Sequence, residues 1–226
     1  MATIISTLDN AITYINTLYN NSSTPPSSGE EDYTVWTSLL NVAISLWENE
    51  EGMLWNELFV RSTSAPDGDF ATVANDYSYA CPTLFRFPAS GYVWLGTGTG
   101  KKSYKVIKPE EKQLYEINSG PWCYFLQDGS PTLEFNPNVS MIGGETITYS
   151  YYKKASALSS GSDTFEMSDP MFAVYYVIAE LKKEEGNANE LQIAMQKLNA
   201  MKTRNVMPAW YQQDSFINVT ESGFGV

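Results

Sequence analysis

The segment YVWLGTGTGKKSYKV, residues 92–106, contains the residue types of a phosphate-binding loop: an apolar stretch, glycines, two lysines and a serine. A P-loop needs a glycine, four residues and then Gly-Lys-Ser/Thr, because backbone N–H groups and the lysine surround the phosphates. With Gly100-Lys101 as the anchor, Leu95 occupies the first glycine position and Lys102 the Ser/Thr position. The alternating residues that follow predict a strand, whereas a P-loop opens a helix. We therefore predict a β-hairpin with a Gly/Thr tip instead of a nucleotide site.

The composition excludes several kinds of catalytic site. The 226 residues include no histidine, which excludes His-dependent triads, His metal sites and imidazole acid–base chemistry. Cys81 and Cys123 are too few for a Cys-based zinc site and lack the CxxC redox spacing. We expect them to be free, partly buried thiols, with a disulfide between them as the alternative. We expect no catalytic residues, no metal and no cofactor.

The charge balance argues against nucleic-acid binding. There are 26 acidic and 14 basic residues, a net charge of −12, whereas affinity for nucleic acid comes from lysines and arginines that displace phosphate counterions. The chain is rich in tyrosine and tryptophan, which suit β-sheets and protein contacts. Its N-terminus has no basic region and no continuous apolar run, so we expect neither a signal peptide nor a membrane anchor.

The pattern along the chain predicts an α+β fold, in which a bundle of N- and C-terminal helices carries an inserted antiparallel β-domain, a sandwich or small barrel. We expect N-terminal helices in residues 1–51, the β-rich insertion in 52–155, C-terminal helices in 156–205 and an extended tail in 206–226. The terminal helices must pack together to bury their apolar stripes.

The N-terminal part contains two predicted helices. The first follows from the spacing of its apolar residues, and the second runs from about Asp32 to Glu48. The apolar set of the second helix is too wide for one stripe, so we expect it to pack on two neighbours. Three acidic residues, Glu48, Glu50 and Glu51, lie at its C-terminal end, where the helix dipole disfavours anions. They are either solvated or face a basic partner.

Seven short runs in the middle of the chain predict strands: SYACPTLFRF, YVWLG, SYKVI, QLYEI, WCYFL, TLEFN and TITYSYY. Asp128-Gly129 predicts a hairpin turn between two of them. Five of the fourteen basic residues are expected to lie in one hairpin: Lys101, Lys102, Lys105, Lys108 and Lys112. They fit either a sheet edge that lysines protect from aggregation or a positive arm that docks on an acidic neighbour.

The C-terminal part is predicted to be helical, followed by a polar tail. Ser168-Asp169-Pro170 begins a broadly apolar helix that ends near Gly186, and an amphipathic helix follows from Glu190 to Lys202. The tail after Pro208 lacks a periodicity that would bury its aromatic residues, which are Trp210, Tyr211, Phe216 and Phe224. Such a tail is either disordered or ordered by a partner.

In the order of these parts, the sequence resembles the head–tail adaptor (connector, or head-completion) proteins of tailed bacteriophages. The likeness is best over residues 131–202, where a final strand ending in Tyr-Tyr-Lys, a loop, a Tyr-rich helix, a Gly turn and a last helix follow in order. The N-terminal helices match more loosely, and the β-domain matches only in kind. There is no catalytic motif to compare, so the likeness rests on the order of the parts.

The resemblance implies a structural virion protein that assembles in the host cytoplasm and lies in the neck of the particle. Its partners would be the portal protein, a downstream tail or neck protein, and further copies of itself in a ring, typically a dodecamer. DNA would pass through the lumen without specific binding, and no membrane would be involved. An acidic wall suits such a conduit, because DNA phosphates within a Debye length of roughly 8 Å would be repelled.

Other functions remain as alternatives. Within the virion, a stopper, a tail-tube protein or another neck protein is the nearest alternative. A carbohydrate-binding adhesin module would use exposed aromatic platforms on the β-domain, and a carboxylate-only glycosidase would need paired acids that are not visible here. For the adaptor, we expect the partner-binding residues to be Lys101, Lys102 and Lys105 of the hairpin and Trp210, Tyr211, Phe216 and Phe224 of the tail.

Overall fold

The computed structural model of the protein describes residues 5–61, 70–117 and 120–205. These residues form two compact units: a helical unit, up to Leu58 and from Ala155 onward, and a β unit between Phe59 and Lys154. The elements in chain order are α1 (Leu8–Tyr19), α2 (Glu31–Glu48), β1 (Phe59–Arg61), β2 (Ser78–Ala80), β3 (Phe85–Pro88), β4 (Tyr92–Leu95), β5 (Lys102–Val106), α3 (Lys112–Glu116), β6 (Trp122–Leu126), β7 (Thr132–Phe135), β8 (Ile147–Thr148), β9 (Ser150–Lys153), α4 (Met171–Leu181) and α5 (Ala188–Arg204). The predicted α+β class is confirmed.

Helix α4 lies at the centre of the helical unit. It packs against α1, α2 and α5, so nearly all of its sides are covered, which explains why its sequence is apolar almost throughout. Its predicted start is confirmed, because the Asp169 side chain accepts a hydrogen bond from the Met171 backbone N–H at 3.2 Å. The N- and C-terminal helices therefore form one bundle. Helix α2 contacts both α1 and α4, as its wide apolar face predicts.

The acidic end of α2 has partners within the helical unit. The Lys202 ammonium donates to the Glu50 carboxylate, and the Glu48 carboxylate accepts the Ala155 backbone N–H at 3.0 Å. Of the two sequence-based alternatives for this end, the basic partner is confirmed for Glu50. Lys202 also places a positive charge near the helix C-terminus, where it is favoured.

The β unit contains two sheets. The larger has the strand order β2-β7-β6-β5-β4-β8, and the smaller has the order β1-β9-β3. The predicted turn at Asp128-Gly129 is confirmed, because β6 and β7 pair in antiparallel register and Gly129 has a φ of +71°. Aromatic side chains dominate the core, in which the rings of Phe85 and Phe125 stack with centroids 5.0 Å apart.

One predicted strand, QLYEI, is wrong, because residues 112–116 form the short helix α3. Pro109 and two glutamates begin a helical turn directly before it, and the Trp122 indole N–H donates to the Tyr115 carbonyl at 3.1 Å. Residues 107–121 connect β5 to β6, and these two strands pair in parallel. The other strand pairs of the described residues are antiparallel. A five-residue alternating run is compatible with both a strand and a helical turn. Pro109 favours the helical turn, because proline is well suited to the first turn of a helix.

The two cysteines are free and buried, as expected, so the alternative disulfide is absent. Burial raises the pKa of the Cys81 thiol to about 12 and also raises that of Cys123. Among the residues described, none of the helices is both long enough and apolar enough to cross a bilayer.

Candidate interaction surface on the lysine hairpin

The predicted hairpin is confirmed. Strands β4 and β5 pair in antiparallel register from Tyr92↔Lys105 to Leu95↔Lys102, and a short turn at Gly98–Gly100 connects them. Gly96 and Gly98 have φ values of +93° and +65°, a region that favours glycine. A strand therefore follows Lys101. In a P-loop, a helix would begin at this place and its N-terminus would face the bound phosphate.

Two of the predicted site lysines are held by side chains of the β unit. The Lys102 ammonium lies 3.6 Å from a Glu145 carboxylate oxygen. The Lys105 ammonium donates to the Tyr115 hydroxyl at 2.8 Å, and this hydrogen bond raises the pKa of Lys105 against the opposite effect of burial. The positive charges of both lysines are thus engaged within the chain.

Lys101 and Lys108 are exposed and, within the described ranges, have no ion-pair partner. Lys112 begins α3 and pairs with Glu116 one turn later, with 3.7 Å between ammonium and carboxylate. The prediction of five lysines in one hairpin holds for Lys101, Lys102 and Lys105, whereas Lys108 follows the hairpin and Lys112 begins α3. The structure divides them into two charges that face solvent and three that have internal partners.

A groove with a volume of about 630 Å³ opens beside this hairpin. It forms because β5 pairs with β6 only as far as Val106, after which Pro109 turns the chain away from the end of β6. Phe125 and Leu126 contribute apolar walls, and Lys108 contributes positive charge. The groove could accept an extended segment with apolar and acidic side chains.

The groove was not anticipated from the sequence. The available signal was Pro109 followed by Glu110 and Glu111, which is a helix start and not a strand. This helix start predicts α3, and with it the point at which the chain after β5 turns away from β6. The predicted tail residues lie outside the described part of the chain: Trp210, Tyr211, Phe216 and Phe224.

The features that the β unit exposes suit binding to another molecule. Across the described segments, no three acidic or cysteine side chains converge closely enough to hold a metal ion. The thiols, which could act as nucleophiles, are buried with raised pKa values and are therefore almost fully protonated near neutral pH. What the β unit does expose is charge, a groove and large apolar side chains, among them Leu114 and Ile117.

Comparison with known proteins supports this conclusion. A search of curated proteins finds no match. A family model described as SU10 adaptor protein matches residues 6–217, which include all the helices and strands described above. The match thus extends well beyond the residues 131–202 on which the resemblance mainly rested. The chain belongs to the SU10 adaptor protein family and is a bacteriophage adaptor protein.

Proposed function

We propose that this adaptor forms a ring, typically of twelve copies, that joins the portal vertex to the tail and extends the DNA channel. The observation that carries the proposal is the family match over residues 6–217. The net charge of −12 supports it, because an acidic wall repels DNA phosphates and lets the genome pass without being held.

The ring and its docking to the portal are tested by measuring native mass. We expect the purified protein to form one discrete high-mass species, either alone or after it is mixed with the portal protein. In the mixture, that species should contain the two proteins in a fixed ratio. Electron microscopy of that species should show a central channel. A protein that stays monomeric with the portal but binds a tail component would instead be a stopper or another neck protein.

The lysine hairpin is proposed to contact an acidic surface of a neighbouring subunit or tail component. Lys101 and Lys108 carry this proposal, since Lys102 and Lys105 already have partners. An exposed ion pair contributes about 0–1 kcal/mol, so its effect becomes large only when it is repeated around a ring. Reversing Lys101 and Lys108 to Glu should impair assembly at low salt while the monomer stays folded.

A control for that experiment is Lys183→Glu in the helical unit, where Lys183 is largely exposed, and it changes the net charge by as much as either single reversal, Lys101→Glu or Lys108→Glu. Assembly of the control should equal that of the wild type. If the hairpin variant also assembled normally, these lysines would only face solvent. The alternative of a protected sheet edge does not apply, because β4 and β5 lie inside the larger sheet.

The tail, residues 207–226, is proposed to dock on the portal and to become ordered there. Tyr and Trp residues often anchor interfaces, and each truncation costs about 2 kcal/mol or more when the residue is central. Trp210 and Tyr211 are the first candidates, followed by Phe216 and Phe224. Deleting 207–226 should abolish portal binding and leave the helical circular dichroism signal unchanged. Wild-type binding by the truncated protein would contradict this role.

A further inference from the structure

Helix α2 exposes an apolar stripe that neither α1 nor α4 covers. Val35, Val42 and Leu46 are 42%, 46% and 47% exposed, and Leu39 is half-buried between them. Their spacing of four, three and four residues places them along one flank of the helix. Between Glu31-Asp32 and Glu48 the helix contains no charged residue. The stripe is therefore both apolar and free of charge.

Helix α5 exposes a second face without charge. Leu191 and Met195 are 40% and 45% exposed, and small or amide residues surround them: Ala188, Gln192, Gln196 and Asn199. All four charged residues of α5 are engaged within the helical unit. Glu190 pairs with Lys182, Lys202 pairs with Glu50, and Lys197 and Arg204 pair with Asp169.

Helix α1 offers a comparison within the same unit. Its exposed residues are polar except Leu18, which is 39% exposed, and the hydroxyls of Thr13 and Thr17 donate to backbone carbonyls one turn earlier in the helix. Asp9 adds a charge near its start. A single exposed apolar residue is ordinary on a protein surface, whereas α2 exposes three apolar residues along one flank and α5 exposes two on one face, which makes these two faces a distinct feature.

We propose that the α2 stripe of one copy packs against the exposed α5 face of the next copy, and that this is the repeating contact of the ring. The inference rests on the proposed ring and names its interface. Copies with a net charge of −12 repel each other, so they meet at lowest cost through surfaces that carry no charge. In this arrangement each copy offers its α2 stripe to one neighbour and its α5 face to the other, so the contact is heterologous. Such a contact forms a ring where the rotation between successive copies closes.

Charge substitutions at exposed positions test this contact. Val42→Glu or Met195→Glu should weaken self-association at least about tenfold, because each contact would bury an unpaired charge. Both variants should keep the wild-type melting temperature, since both side chains are about half exposed. Thr17→Glu, on the exposed face of α1, serves as the control and should associate normally.

Cysteine cross-linking tests the heterologous geometry. A chain with both Val42→Cys and Met195→Cys should form a ladder of disulfide-linked oligomers under oxidation, since the native cysteines are buried. Either substitution alone should give no ladder. A dimer from Val42→Cys alone would show that α2 packs on α2 and would overturn the proposal.

Failure of the inference is distinguishable from failure of the proposed function. If the wild type forms no ring, alone or with the portal, the proposed function fails. If it forms rings that Val42→Glu and Met195→Glu leave unchanged, only the interface is wrong. If these variants form rings but no longer bind the portal or a tail component, the stripe docks that partner, which also contradicts our assignment.

Discussion

Asparagine side chains connect distant segments at several points in this protein. Asn16, Asn136 and Asn205 are buried, and the amide of each bonds the backbone of another segment. Asn41 donates to the Leu158 carbonyl at 2.9 Å and accepts the Leu158 N–H at 2.8 Å. Such roles are invisible in a sequence, because asparagine favours turns and the partners here are up to 151 residues away.

The Asn41 contact gives the first prediction. Asn41→Ala should lower the free energy of unfolding by roughly 1–3 kcal/mol, because the N–H and C=O of Leu158 lose their partners in a part-buried site. Chemical denaturation of the full chain measures the change. Asn189→Ala, at an exposed position near the start of α5, should be within about 0.5 kcal/mol of the wild type.

The second prediction concerns the Cys81 thiol. With a pKa of about 12, only about one thiol in ten thousand is ionised at pH 8, so alkylation should be slow until denaturant unfolds the chain. Folding raises this pKa above its usual value near 9. The protonated Cys81 thiol therefore makes its full contribution to the free energy of unfolding below pH 9, and this contribution is lost as the pH rises toward 12. Rapid labelling of native protein at pH 8 would contradict the prediction.

At the scale of elements, a loop completes the start of α1. The carbonyls of Asp163 and Gly161 accept the backbone N–H groups of Leu8 and Asp9 at 2.9 and 3.1 Å. These N–H groups have no partner within the helix, so the loop satisfies donors that would otherwise need water or a side chain. The Asp9 carboxylate in turn accepts the Tyr33 hydroxyl at 2.9 Å, which connects α1 to α2.

Gly161 of that loop lies directly against the Asp9 carboxylate, and this contact gives the third prediction. A Cβ at this position would overlap the Asp9 carboxylate, so Gly161→Ala should turn that carboxylate away from the Tyr33 hydroxyl. The lost hydrogen bond should cost roughly 0.5–1.5 kcal/mol of unfolding free energy. Gly29→Ala is the matched control, because a Cβ there meets nothing within 4 Å. In an Asp9→Ala background the cost of Gly161→Ala should largely disappear. An equal cost in both backgrounds would rule out this clash as its cause.

Elements with a long or repeated pattern could be predicted from the sequence. The four long helices, the 92–106 hairpin and the turn at Asp128-Gly129 follow from periodicity and turn chemistry. The five residues of α3 carry too little pattern by themselves, and its only signal was the helix start at Pro109, Glu110 and Glu111, which the prediction of a strand overlooked. The parallel pairing of β5 with β6 could not be predicted from the pattern of either strand. For the candidate site, the lysine positions were predictable. The hydrogen bond from Lys105 to Tyr115 could not be predicted, because it requires the conformation of α3.

At the scale of the whole molecule, the two units differ in the contacts they offer. The helical unit exposes uncharged faces on α2 and α5, whereas the β unit exposes Lys101 in the hairpin, Lys108 directly after it and the groove beside them. Apolar contacts between acidic copies and ion pairs with an acidic partner respond to salt in opposite directions. The salt dependence can therefore separate the two kinds of assembly.

The fourth prediction uses that difference. Raising ionic strength from about 0.1 M to about 1 M shortens the Debye length from about 10 Å to about 3 Å, which screens repulsion between copies of charge −12. Self-association measured by analytical ultracentrifugation should strengthen over this range if the α2 and α5 faces form the contact. Binding of the hairpin to an acidic partner should weaken over the same range, and the Lys101→Glu, Lys108→Glu variant should lose that dependence. If self-association instead weakened with salt, ion pairs would dominate the contact between copies, and the uncharged faces would not be its main part.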